Sequence, residues 1–304
     1  MNVLTTLKDD RAFDAVLRPL YGPDAQPLSP DLGRAVVRND SQETIAIAGP
    51  NFKPVQHREV INPIIDHFES RGYRLEERTP SRNSLYDLQG KKGAFIKSQF
   101  SDNGAVMRVD IITGDFLQPT GASVYLDDGP DTMLFKTSVF NSHNGSLAVR
   151  VVTSYERLIC MNGLTRPDFS AGVYGKHTTN FNTTAMRAKI GNAMHGMTDD
   201  AERFGLWAKT RISVADAEKM LKQTIAKLPN KANGSPHFSE PLLNKILEQF
   251  RREDQTVWGL YNAVTHWQTH GQHKKGANAL TTTIGRENKV ANMLRSAQWK
   301  GLAA

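Results

Sequence analysis

The sequence predicts an α+β protein: a mostly antiparallel sheet with flanking helices in the N-terminal half, then a helical C-terminal region. Three observations predict it. From Arg74 to Val152, short apolar–polar alternations follow one another, separated by turn signals. Strands in succession, with no helix between them, pair antiparallel. After Gly163 the period changes, and from about Asn182 the apolar residues recur at helical spacing to the end.

Taken in order, Leu4, Leu7, Phe13, Val16 and Leu17 predict an amphipathic helix over 4–18, with Thr6 as its N-cap. Pro19, Pro23, Pro27 and Pro30 make 19–33 an extended linker. Short strands are expected at 34–38 and 43–48, then a helix over 57–71 that Gly72 stops. Pro63 either kinks that helix or marks a later start at Asn62. Strands are expected at 73–78, 83–89, 94–100, 105–112, 123–126, 133–140 and 146–154. Gln89-Gly90-Lys91-Lys92-Gly93 reads as a basic hairpin tip. The strongest hairpin signal is Asn144-Gly145, between the alternating runs Met133–Phe140 and Ser146–Val152, because both central positions need positive φ. Thr165 to Gly175 reads as a loop, and helices follow at 182–209 (with breaks possible at Gly191 or Gly196), 213–228, 239–252, 255–270 and 286–299. Ser213 with Asp216 has the form of a capping box. The expected division is a sheet-bearing part, 1–175, and a basic helical part, 176–304, which either stands alone or packs on the sheet.

Bulk properties narrow the class. No apolar run approaches the roughly 20 residues that span a bilayer. The first ten residues lack the basic-then-apolar shape of a signal peptide, and Cys160 is the single cysteine, so the expectation is a cytoplasmic protein without disulfides. Charge is uneven: residues 1–170 carry a net −2 and residues 171–304 a net +9, and all four tryptophans lie in the basic part. That pattern fits either nucleic-acid binding or a helical domain with a tryptophan core and a solvated cationic face. The sequence has no C-x-x-C, H-E-x-x-H, G-x-S-x-G or Walker A motif, which removes the usual zinc-protease, hydrolase and NTPase classes.

Short polar boxes carry the remaining signal. Phe52-Lys53-Pro54-Val55-Gln56 precedes a helix; Asn141-Ser142-His143-Asn144-Gly145-Ser146 forms the turn; Arg157 leads into Ile159-Cys160-Met161-Asn162-Gly163-Leu164; then come Lys176-His177-Thr178 and Trp258-Gly259-Leu260-Tyr261. In order and spacing these boxes resemble the DUF932 family of phage- and plasmid-like proteins. The family-motif residues are then Lys53, Pro54, Asn141, His143, Gly145, Cys160, Asn162 and His177. His57, Gly163 and Lys176 depart from the pattern, which has Asn, Thr and Arg there. The resemblance supplies no catalytic residues. It implies a mobile-element setting in a bacterial cytoplasm, with nucleic acid or host defence as the object of action.

Each candidate site has a structural alternative. His143-Asn144-Gly145 is either a functional tip or a turn in which His143 or Asn141 bonds the turn backbone, and the turn is the expectation. Arg150 shares the parity of Ala148 and Val152, which predicts an exposed guanidinium. Cys160 is either a nucleophile with His143 or His177 as base, or a small buried side chain between apolar neighbours; burial is expected. His266, His270 and His273 have zinc-compatible helical spacing, but Gly271 is expected to end the helix before His273. Asp127-Asp128 with Asp131 reads as an acidic turn rather than a cation site.

The sequence therefore predicts a non-catalytic nucleic-acid-binding protein without cofactor or metal, single-stranded DNA being favoured, acting in replication, recombination or annealing, possible as a homo-oligomer. The expected contacts are Lys91, Lys92, Lys136, Arg150 and Arg157 on the sheet and Arg187, Lys189, Arg251, Arg252, Lys274 and Lys275 in the basic region, with an exposed Tyr or Trp to stack bases. Two alternatives stay open: an interaction protein that binds a phage or host factor, and an enzyme using His143, Cys160 and His177.

Overall fold

In the computed structural model, the described residues are 13–119, 125–126, 129–158, 162–165, 173–175, 177, 183–229, 237–271 and 279–303. The class is α+β. A small antiparallel sheet of β1 (Ala15–Arg18), β2 (Arg34–Arg38) and β3 (Thr44–Ala48) opens the chain. Helix α1 (His57–Glu69), β4 (Arg74–Glu77), α2 (Arg82–Leu88), β5 (Gly93–Phe100) and β6 (Val106–Leu117) follow. Then come β7 (Tyr125–Leu126), β8 (Gly129–Pro130), β9 (Met133–Ser142), β10 (Val149–Arg157), β11 (Asn162–Thr165) and β12 (Val173–Gly175). The larger sheet has the order β11-β10-β9-β6-β5-β4, with β12 also pairing β10. In it β4 and β5 pair in parallel, whereas β5–β6, β10–β11 and β10–β12 pair antiparallel.

Helices dominate the rest: α3 (Thr183–His195), α4 (Met197–Lys209), α5 (Val214–Gln223), α6 (Glu240–Arg252), α7 (Val257–His270), α8 (Ala279–Arg295) and α9 (Ala297–Ala303). The short strands β13 (Lys227–Leu228) and β14 (His237–Phe238) pair antiparallel between α5 and α6. The chain folds as two compact units that interleave along the sequence. The first is Met1–Asp115, Lys136–Thr153 and Ser170–Met194; the second is Phe116–Phe135, Ser154–Phe169 and His195–Ala304.

In the first unit, α1 lays Val60, Ile61, Ile64, Ile65 and Phe68 on the sheet face formed by Ala94, Ile96, Met107, Val109, Ile111, Val139, Val149 and Val151. Period 3.6 on the helix meets period 2 on the strands, and burial of each of these side chains stabilises the unit by roughly 1.5–3 kcal/mol. The helix starts at His57, with Gln56 and Glu59 forming a capping box, and it accepts Pro63 in its interior. The side-chain amide of Gln56 also clasps β1, accepting from the Ala15 N–H and donating to its carbonyl, both at 2.8 Å.

Several expectations change. The helix expected over 4–18 is strand β1 where it is described; residues 4–12 lie outside the described set. The strand expected at 83–89 is helix α2, because Ser81 accepts from the Ser84 N–H and caps it. Lys91 and Lys92 therefore sit on a helix-to-strand turn, not on a hairpin tip. The loop expected over 165–175 contains β12, and the last long helix starts at Ala279, before residue 286. The 182–209 helix breaks at Gly196. In the central hairpin only Gly145 takes positive φ, at 72°. Asn144 serves through its side chain, whose Oδ1 accepts from the Ser146 N–H, and Ser142 Oγ closes the loop on both the Leu147 N–H and its carbonyl.

Candidate functional site

Three boxes far apart in sequence meet in the first unit. The first residue of α1, His57, follows Lys53-Pro54-Val55 directly. Asn141, on β9, donates through Nδ2 to the Val55 carbonyl at 2.8 Å and to His57 Nδ1 at 3.0 Å. That leaves His57 Nε2 as the protonated nitrogen, 3.1 Å from the Gly104 carbonyl. The His143 ring stacks on His57, centroids 3.8 Å apart, and contacts Phe13 at 5.1 Å. His177 donates from Nε2 to the Leu147 carbonyl, its own carbonyl accepts from the Lys53 N–H, and its ring lies 5.2 Å from Phe52. A Cβ on Gly145 would come within 3.2 Å of Phe52. Asn141 and His143 expose no surface, and among the described residues neither ring nitrogen of His143 has a hydrogen-bond partner.

Burial makes these imidazoles neutral. Desolvation lowers His57 to about 4 and His143 to about 2, and it also lowers His177. Such a cluster locks the turn to the start of α1. It offers no solvent-facing base, and Cys160, the nucleophile of the enzymatic alternative, lies outside the described residues. His143 does not bond the turn backbone through its ring, contrary to expectation; its main-chain N–H does reach the Ala105 carbonyl.

Of the five predicted sheet cations, two are placed together inside the first unit. Lys136 and Arg150 are buried on the sheet face opposite α1, beside Arg108, Asp110 and Ser138. Arg108 and Arg150 both lie over the Phe140 ring, at 5.3 and 5.5 Å. Burial pushes the Asp110 carboxyl up, but Arg108, Lys136 and the Ser138 hydroxyl outweigh it and hold the group below the usual carboxylate range. Arg150 is thus a correction: it is 8% exposed, not a solvated guanidinium. Lys91 and Lys92 are exposed, and Lys92 Nζ donates to the Tyr73 hydroxyl at 3.0 Å. Arg187 is exposed and reaches the Pro63 carbonyl and Asp66.

In the second unit, Arg157 Nε bonds Asp131 Oδ1 at 2.8 Å, both groups are buried, and Trp258 Nε1 donates to Asp131 Oδ2. Asp131 therefore neutralises Arg157 and is no cation ligand; Asp127 and Asp128 lie outside the described residues. Tyr155 and Arg203 bond Asp200. All four tryptophans, Trp207, Trp258, Trp267 and Trp299, are buried, so none is a stacking platform. His266 and His270 are 4.8 Å apart at the end of α7, which Gly271 terminates as expected; His273 lies outside the described residues. Arg251 and Arg252 are exposed at the end of α6, and Arg252 pairs with Glu248. Lys274 and Lys275 and the side chains of Lys189 and Asn162 lie outside the described residues.

The second unit also holds a cavity of about 460 Å³, lined by Lys219, Lys222, Gln223, Lys227, His237, Phe238 and Gln298. No motif marks it in the sequence: α5 and the β13–β14 pair each give three of its lining residues and α9 gives one.

The family model described as "Domain of unknown function (DUF932)" matches residues 121–298, more than half of the chain. The chain belongs to the DUF932 family. The match contains the Asn141–Ser146 turn, His177 and the Trp258–Tyr261 segment. The Phe52–Gln56 box lies before the matched span of this DUF932 chain, yet it is bonded to the matched residues Asn141 and His177. No curated protein and no solved structure matches the chain. His57, a departure from the pattern in the sequence, emerges as the bonding partner of Asn141 and the stacking partner of His143.

Proposed function

We propose that this DUF932 protein is a non-catalytic binder of nucleic acid, single-stranded DNA by preference, that contacts phosphates through the surface of its second unit. The setting is replication, recombination or annealing of phage or plasmid DNA. The observation that supports this reading is the partition of cations. Lys136, Arg150 and Arg157 are internal, whereas Arg211, Lys219, Lys227, Lys245, Arg251 and Lys289 of the second unit are exposed. Exposed lysines and arginines attract phosphodiesters by counterion release, without sequence preference. The test is fluorescence anisotropy of labelled single-stranded and duplex oligonucleotides titrated with protein. Tighter binding to the single strand supports the reading, and no binding of either at low salt overturns it.

One observation favours a second reading. Tyr21, Leu28, Leu32 and Ile47, all within the first 48 residues, are exposed apolar side chains, Ile47 to 70%. They suit contact with another protein. A stable protein complex lost on Ile47→Asp substitution, with no nucleic-acid binding, would support that reading.

A further inference from the structure

We propose that the cavity between α5, the β13–β14 pair and α9 seats one phosphorylated nucleoside unit, with the base on Phe238 and the phosphate among Lys219, Lys222 and Lys227. The inference rests on the nucleic-acid reading above and gives it a place. The local fold builds the site. Helix α5 is capped by Ser213 and presents Lys219 and Lys222 one turn apart. The chain then reverses through Thr224 and Ala226, whose carbonyls accept from Lys227 N–H and Ser239 N–H. The register sets Lys227 opposite Phe238 and Leu228 opposite His237. Lys222 Nζ thus lies 4.8 Å from the Phe238 ring centroid, Lys227 is the cross-strand partner of Phe238, and Lys219 lines the same cavity.

The chemistry selects the ligand. Among the described residues no carboxylate lines the cavity, although Glu218 pairs with Lys222 at 2.6 Å. With Lys222 shared with Glu218, Lys219, Lys222 and Lys227 leave a net positive rim that favours a phosphate over a cationic ligand. Phe238 is half-buried and lines the cavity with Lys222 Nζ over its ring, so the proposed base stacks on the opposite face, and Gln223 and Gln298 supply amides for a base edge. A volume of about 460 Å³ is within the range of small-molecule sites and too small for a duplex. A base can stack there only if it is unpaired, which favours a single strand or a free nucleotide over a double helix.

The experiment uses the full chain, with a labelled thymidine oligonucleotide in one arm and thymidine monophosphate in the other. Wild type is compared with Phe238→Ala and with the double variant Lys219→Ala/Lys227→Ala, whose side chains are exposed and whose loss leaves the fold in place. Stacking on an aromatic ring predicts a roughly tenfold or greater weakening by Phe238→Ala. The cavity neutralises one phosphate, so the lysine variant is expected to lower the magnitude of the salt slope by up to about 0.7 for a single strand. Oligonucleotide binding that both variants leave within twofold of wild type overturns the cavity assignment and spares the functional reading. Monophosphate binding that the variants abolish, with no oligonucleotide binding, supports the cavity and overturns the functional reading. Wild type that binds neither overturns both.

Discussion

The imidazole of His57 lies flat on that of His143, with ring planes 15° apart. Both rings are buried, and burial holds their pKa values at about 4 and about 2. An unfolded chain restores each to about 6.5, so between those values the unfolded state binds more protons than the native one. Their contribution is fully present above pH 6.5 and is lost as pH falls toward 4 for His57 and toward 2 for His143. At pH 5 the loss is roughly 2 kcal/mol for each ring. Urea midpoints measured from pH 7.5 to 5 should fall steeply. His143→Leu should flatten that curve, and a curve that stays flat in the wild type would contradict the burial.

The buried pair of Arg157 and Asp131 gives a second expectation. Arg157→Met leaves the Asp131 carboxylate buried with Trp258 Nε1 still bonded to it. Removing one partner of such a pair costs about 3–5 kcal/mol. Arg157→Met with Asp131→Leu should recover much of that loss, as read by thermal unfolding of the three variants.

Gly259 is required by a close approach. A Cβ there would lie 1.9 Å from the Asp254 carbonyl oxygen, where the chain turns into α7 under the Thr256 cap. Gly259→Ala should destabilise the protein by about 1–3 kcal/mol or more, since backbone must move. Gly285, which has open space around it, is the control: Gly285→Ala in the middle of α8 should stabilise by up to about 1 kcal/mol.

Lys136 and Arg150 separate stability from binding. Because both are buried, Lys136→Met and Arg150→Met should change the unfolding midpoint and leave oligonucleotide affinity within about twofold. Lys219→Ala/Lys227→Ala should do the reverse. Affinity and midpoint measured on the same preparations decide the matter.

How much of this was legible in the sequence depended on the kind of signal. Long-range alternation and helical period survive as β9, β10, α6 and α7, since burial of one face enforces them. Residues 82–88 misled because the run is short; Leu85 and Leu88, three apart, share a face only on a helix, and the Ser81 cap starts it. Arg150 misled because alternation reports which face a residue takes, not whether that face is covered. The turn was legible through Asn144-Gly145, but its anchoring was not: His57 and Asn141 are 84 residues apart, and nothing local in the sequence couples them. The cavity was invisible although six of its lining residues fall within 219–238, because no motif marks them.

The central claim is that exposed cations of the second unit contact phosphates. The most direct measurement is the affinity for a labelled thymidine oligonucleotide as a function of salt concentration. With one phosphate engaged at the cavity, log K should fall linearly with log salt at a slope of about −0.7, and steeper with each further phosphate contacted. A slope indistinguishable from zero, or no measurable binding at low salt, would contradict the account.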